Sequence, residues 1–151
     1  MTTTFADYAS QAEARKDIAT AVLGHTLALC DALRQNYIDY SIKSHQHAVK
    51  NGGIVDVNYI PYHEEQIEKL KKGICDYDFY PETGRKYHKI IMVANGSRSC
   101  HAFVDKKTGS LLKSASWKSP AKGERFNLLN DQHREWLLSN ATWHSGYLYK
   151  K

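Results

Sequence analysis

The residues best equipped for chemistry are gathered in one run, Lys113-Ser-Ala-Ser-Trp-Lys-Ser-Pro-Ala-Lys-Gly-Glu-Arg125. Lys113, Lys118, Lys122 and Arg125 supply cations, Ser114 and Ser116 supply hydroxyl donors, and Gly123 lets the backbone approach a ligand closely. Those are the groups a phosphate oxygen requires, and Trp117 adds a flat face on which a base can stack. Arg98, in the same basic segment, joins them as a candidate ligand-binding residue. The run lacks the Gly-x-x-x-x-Gly-Lys-Ser/Thr order of a phosphate-binding P-loop. A plainer reading stands beside this one, in which the lysines form a solvated rim while Trp117 and Phe126 pin the loop onto a sheet.

Charge supports a phosphate-bearing partner. Arg85 to Arg125 carries ten Lys and Arg against two acids, Asp105 and Glu124, a local excess of +8. The rest of the chain has eleven basic and fourteen acidic side chains, so the net +5 is a basic segment set against a mildly acidic remainder. Such segregation favours nucleic acid or a nucleotide as partner. Three widely spaced cysteines, Cys30, Cys75 and Cys100, form no Cys-x-x-Cys pair and suit free thiols in a reducing compartment. Neither a basic-then-apolar leader nor an eighteen-residue apolar run is present, so the expected setting is intracellular, away from membranes.

Other constellations are weaker. His45, His47 and His63 offer imidazoles to a metal, but no carboxylate or thiol at ligand spacing completes a set. Cys100 beside His101 suggests a nucleophile and base, yet neighbours on a strand point to opposite faces, and a buried Cys with a surface His is expected. Asp76, Asp78 and Glu82 read as solvated turn acids, and Lys69, Lys71 and Lys72 as helix-end charges. No catalytic residue, metal site or cofactor is assigned, and the protein reads as a binder rather than an enzyme.

The elements that must position these residues can be traced along the chain. Ser10-x-x-Glu13 has the capping-box pattern and predicts a helix to about Gln35, with an apolar stripe through Ala14, Ile18, Ala21, Val22, Leu29, Ala32 and Leu33 widened by Leu23 and Leu27. So broad a stripe must pack on a sheet or on a second copy of the chain, and Gly24 would permit a close backbone approach. Asn51-Gly-Gly53 predicts a turn and Ile54–Ile60 a strand. Pro61 opens a second helix closed near Gly73, with Glu64 and Glu65 favouring its positive end and Ile67, Leu70 and Ile74 anchoring it. Asp76 to Arg85, broken by Pro81 and Gly84, reads as a connection. Beyond it, Tyr87–Ala94, an Asn95-Gly96 turn, Ser99–Val104, a turn at Asp105–Gly109 and Ser110–Ala115 predict an antiparallel meander over about 87–115. A short helix near Asp131–Ser139, with Trp136 and Leu137 inward, and an aromatic tail, Gly146-Tyr-Leu-Tyr149, complete a single α+β domain. Residues 1–84 would form its helical part and 85–151 its basic sheet.

The run Phe103-Val-Asp-Lys-Lys-Thr-Gly109, together with Lys113 to Gly123, Arg125-Phe-Asn127 and Gly146-Tyr-Leu-Tyr149, resembles a family of small, mostly uncharacterised bacteriophage-encoded proteins. The resemblance covers roughly the C-terminal half, leaves the helical half looking particular to this chain, and carries no established activity or site residues. It implies a phage accessory role in the cytoplasm of an infected bacterium. Three function classes follow: a non-catalytic binder of nucleic acid, with Tyr87, Phe103 and Trp117 as stacking faces; a counter-defence protein sequestering a nucleotide signal or inhibiting a host protein; and a virion or assembly component, with the tail and first helix as subunit contacts. A homodimer through the first helix is compatible with all three.

Overall fold

The computed structural model describes residues 5–50 and 59–149, the side chains from residue 11 onward. The Asn51-Gly-Gly53 turn and residues 54–58 of the expected strand lie outside the described residues, and Tyr59 and Ile60 open a helix instead. The order is α1 (Phe5–Lys50), α2 (Ile60–Lys71), β1 (Tyr77–Thr83), β2 (Tyr87–Ala94), β3 (Ser97–Asp105), β4 (Ser110–Lys113), β5 (Phe126–Asn127) and α3 (Asp131–Asn140), followed by a 3-10 turn over Ser145–Leu148. The fold is α+β: helices on one antiparallel sheet of order β1-β2-β3-β4-β5.

Helix α1 is longer than its sequence signals. It starts at Phe5, leaving Ser10 and Glu13 inside it rather than at a cap, and continues past Gln35 because no Gly or Pro follows Gly24 before Gly52. Its 46 residues span roughly 70 Å at 1.5 Å per residue. Its middle meets the sheet: Val22, Leu29, Cys30 and Leu33 enter the shared core, Ile38 is buried further along, and Thr26 is buried with its hydroxyl donating to the Val22 carbonyl at 2.7 Å. The expected stripe is therefore too wide. Ala14 and Ile18 lie where the helix overhangs the sheet, Leu23 and Leu27 remain over a third exposed, and among the described residues nothing comes within 4 Å of a Cβ placed on Gly24.

Helix α2 returns along the C-terminal part of α1, burying Ile67 and Leu70. Glu64 and Glu65 lie beyond its first turn, where Glu65 pairs with Lys69 at 3.3 Å, and Ile74 is exposed rather than an anchor. Tyr77–Thr83 is a strand and not a connection. Pro81, which cannot donate to a ladder, is tolerated because among the described residues β1 is an edge strand paired with β2 alone. The boundary expected at residue 84 consequently falls within a β-hairpin, and Phe126–Asn127 adds a fifth strand beside the meander.

Alternation gives the sheet two unlike faces. Phe79, Ile90, Ala102, Val104 and Leu111 point towards α1 and α3 and share one core with Leu128, Leu137, Ala141 and Leu148. The Asn95-Gly96 turn, with φ of 52° and 84°, closes the β2–β3 hairpin as a tight left-handed turn requires. Gly109 is fixed twice over: its φ is 77°, and an added Cβ would sit 2.9 Å from the Leu129 side chain. A bulge opposite Ile90 and Ile91 inserts His101 into β3, so His101 and its neighbour Ala102 both serve the core side. His101 is thus the buried partner and Cys100 the half-buried one, the reverse of the expectation.

His101 lies edge-on to Phe79 and bonds the Tyr147 hydroxyl at 2.7 Å, joining the tail to the sheet. Burial pushes its pKa down to about 4 and pushes the Tyr147 phenol up. Because the folded state resists a proton that the unfolded chain accepts below about pH 6.5, the stabilisation is whole above that pH and is lost on acidification towards pH 4. Thermal unfolding should show stability falling across that window by on the order of 3 kcal/mol from this group. A His101→Gln variant, which keeps a hydrogen-bonding partner for Tyr147, should show a shallower slope between pH 6.5 and 4.

Candidate functional site

On the face away from the helices, period-two alternation aligns Tyr80 and Glu82 of β1, Tyr87, Lys89 and Ile91 of β2, Arg98, Cys100 and Phe103 of β3, and Leu112 of β4. Ile91 and Phe103 are buried at its base, with Lys89 lying over the Phe103 ring at 5.8 Å. Phe103 is therefore no free stacking surface. Tyr87 meets it edge-on at 5.5 Å and stays half-buried.

The segment after β4 folds onto this face as a hairpin extension. Ser114 bridges to Pro120, and the Ala121 amide donates to the Lys113 carbonyl at 2.7 Å. At its tip Trp117 rests on two cations, with Lys89 Nζ 4.2 Å and the Arg98 guanidinium carbon 5.4 Å from the ring. Each such contact contributes about 0.5–1 kcal/mol at an exposed site. The indole stays 40% exposed. Trp117 is consequently both the pin of the plainer reading and an accessible aromatic surface.

The serines shape the tip. Ser116 Oγ accepts from the Lys118 and Ser119 amides, at 3.3 and 3.2 Å, and Ser114 Oγ donates to the Ser116 carbonyl at 2.9 Å. Amides and hydroxyls expected to meet phosphate are instead engaged within the protein, largely with one another and, for Ser114, also with the Cys100 side chain. Lys113 shares a register position with inward-facing Ala102, and its amine lies 4.5 Å from the centre of the Tyr149 ring. Arg125 is turned inward too: its Nε donates to the Leu148 carbonyl at 2.7 Å and its Nη1 to the carbonyls of Gly123 and Lys122. It clamps the tail to the sheet.

Of the eight candidates, the fold brings Arg98 and Trp117 together, leaves Lys118 and Lys122 exposed on the same loop as Trp117, spends Ser114 and Ser116 on the tip, and directs Lys113 and Arg125 to the tail. Arg98 also pairs with Glu82, which raises its pKa. Among the described residues the ion pairs are Arg34–Asp78, Lys69–Glu65, Arg98–Glu82 and Arg134–Asp131, so Lys89, Lys118 and Lys122 face no carboxylate at pairing distance. Sequence reasoning missed Lys89 and Tyr80. The first was recoverable, since Tyr87, Lys89 and Ile91 are alternate residues of a recognised strand; the second was hidden because Pro81 disguises β1.

The other constellations do not assemble a reactive centre. Burial raises the pKa of all three thiols, Cys30 to about 12, the opposite of what a nucleophilic cysteine needs. His45 and His47 stand on α1, where residues two apart diverge. His45 Nδ1 instead meets His63 Nδ1 of α2 at 2.8 Å, and burial with the neighbouring imidazole lowers the His45 pKa. Among the described residues no three His, Cys, Asp or Glu are grouped to hold a metal, and no helix is long and apolar enough to cross a membrane.

The clamp and the tip make opposite predictions. Arg125→Ala should lower unfolding stability by about 1–2 kcal/mol through the loss of its charged hydrogen bonds. Lys118→Ala and Lys122→Ala should change it by less than about 0.5 kcal/mol. Denaturant melts of the three variants check both.

Set beside known proteins, the chain matches no curated protein and no solved structure. A family model does match it, over residues 5–150, so the long helix set apart above as particular to this chain lies within the family together with the sheet and the tail. The protein belongs to the Family of unknown function designated DUF7717.

Proposed function

We propose that the protein is a non-catalytic binder of single-stranded nucleic acid, using the open face of its sheet and the hairpin tip that folds onto it. The observation that carries this reading is Trp117, held over Lys89 and Arg98 with two fifths of its surface exposed. A base stacked on that indole would place its backbone beside Lys118 and Lys122, which have no carboxylate to neutralise them. Stacking rings interleaved with lysines suit a strand whose bases are unpaired, because every base has a π-face while only the backbone is charged. The setting that goes with this role is that of a phage accessory protein in the cytoplasm of an infected bacterium.

The competing virion-component reading loses part of its support, since Leu148 is buried and Tyr147 is bonded to His101, leaving Tyr149 as the exposed aromatic ring of the tail. A second copy docking through α1 would leave the open face free, because α1 packs on the other side.

Fluorescence anisotropy with a labelled single-stranded oligonucleotide tests the proposal. Trp117→Ala should weaken binding about tenfold, as removal of one base–aromatic stack does. The double variant Lys118→Ala/Lys122→Ala should flatten the dependence of log affinity on log salt by about 1.4, at about 0.7 for each phosphate no longer neutralised. Unchanged affinity in Trp117→Ala, with the fold intact by circular dichroism, would remove the reading.

A further inference from the structure

A cleft of about 950 Å³ opens at the opposite end of the sheet from the β2–β3 turn, where the β1–β2 and β3–β4 turns meet the overhanging part of α1. Five cations line it: Arg15 from the helix, Arg85 and Lys86 from one turn, Lys106 and Lys107 from the other. Asp105 is the single acid. Its carboxylate is engaged at the base of its own turn, accepting from the Lys107 amide at 2.8 Å and the Thr108 amide at 3.1 Å. None of the five cations belongs to an ion pair among the described residues.

The two turns are tied together. Lys106 donates from its amine to the Gly84 carbonyl at 3.0 Å and from its backbone to the Lys86 carbonyl at 3.1 Å. Lys106 therefore spends its side chain on holding the frame, while Arg15, Arg85 and Lys107 converge on the opening from three elements and Lys86 lies 5.3 Å from the Tyr87 ring. Like charges at such a convergence repel unless an anion enters, and a concave site between low-dielectric walls concentrates their field. The remaining wall is apolar, with Ile18 and Ala19 facing the cations. This also explains why Ile18 lies on the expected apolar stripe of α1 without being buried.

We infer that this cleft is a second ligand site, separate from the Trp117 face, which takes the polyphosphate chain of a free nucleotide. Its size falls in the range of small-molecule sites. The guanidinium groups of Arg15 and Arg85 can grip phosphate oxygens in pairs, Lys86 and Lys107 add point charges, and the Ile18 wall receives the uncharged part of the ligand. No bond is made or broken, and the inference does not depend on nucleic-acid binding at the open face.

Isothermal titration calorimetry on the full chain, with ATP and inorganic tripolyphosphate as probes, tests the site. The expected result is one ATP per chain, with ATP bound more tightly than tripolyphosphate and affinity reduced at least tenfold in Arg85→Ala/Lys107→Ala. The Arg15→Glu variant should lose ATP to a similar degree, since only the cleft brings that helix residue near the turns. Lys71→Ala/Lys72→Ala, at exposed lysines closing α2 that line neither site, should leave ATP binding unchanged. Absent heat with both probes would overturn the inference, as would equal weakening by the cleft and α2 variants, which would mark a diffuse field. Tripolyphosphate binding without ATP binding would overturn the assignment to a nucleotide. Failure here leaves the oligonucleotide measurement on Trp117 unaffected, and failure there leaves this one intact.

Discussion

The structure depends on a sheet whose two faces are covered differently, helices closing one and only the short hairpin extension after β4 lying over the other. Five antiparallel strands send Phe79, Ile90, Ala102, Val104 and Leu111 into a single core, and α1, α3 and the tail are the parts available to close it. The closure is firm where it occurs: among the described residues no buried side-chain nitrogen or oxygen lacks a partner, and the buried His101 is satisfied by a tail tyrosine. Burying an imidazole without such a bond would cost about 1–3 kcal/mol. The same alternation that fills the core obliges Lys89, Arg98 and Tyr80 to the other side, where no helix lies.

That asymmetry divides the basic residues into working groups. Arg125 is structural, its guanidinium consumed by three carbonyls, and Lys113 is drawn to Tyr149. Arg98 is half neutralised by Glu82 while supporting Trp117 from below. Lys118 and Lys122 remain on the tip loop, and Arg15, Arg85, Lys86, Lys106 and Lys107 gather at the far turns. The concentration of charge evident in the sequence is thus divided between the tip loop and the far turns, where Arg15 of α1 joins it.

Much of this was legible in the sequence where short-range physics decides. The Asn95-Gly96 hairpin, the Asp105–Gly109 turn, the Pro61 helix start and the short helix at Asp131 follow from local backbone preference, and the structure has each of them. What failed was decided by tertiary context. Pro81 disguised β1 because its tolerance depends on lying at an edge, and the stripe on α1 read as uniformly buried because periodicity cannot say where a helix outruns its sheet. The turn of the Lys113 and Arg125 side chains towards the tail was hidden for a related reason. Adjacency in a loop does not reveal which side of the sheet each side chain takes, and nothing local announces that Arg125 will reach the Leu148 carbonyl. Trp136 was expected inward beside Leu137, but it stacks on Phe126 at 5.2 Å with nearly half its surface in water.

We propose that the face of the sheet beneath the hairpin tip, and not its helical side, meets nucleic acid. Backbone amide chemical-shift mapping with a short single-stranded oligonucleotide addresses it most directly. The account predicts perturbations confined to the outward positions of β1 to β3 and to residues 115–123. Shifts concentrated on α1 and α3, or none at low salt, would contradict it.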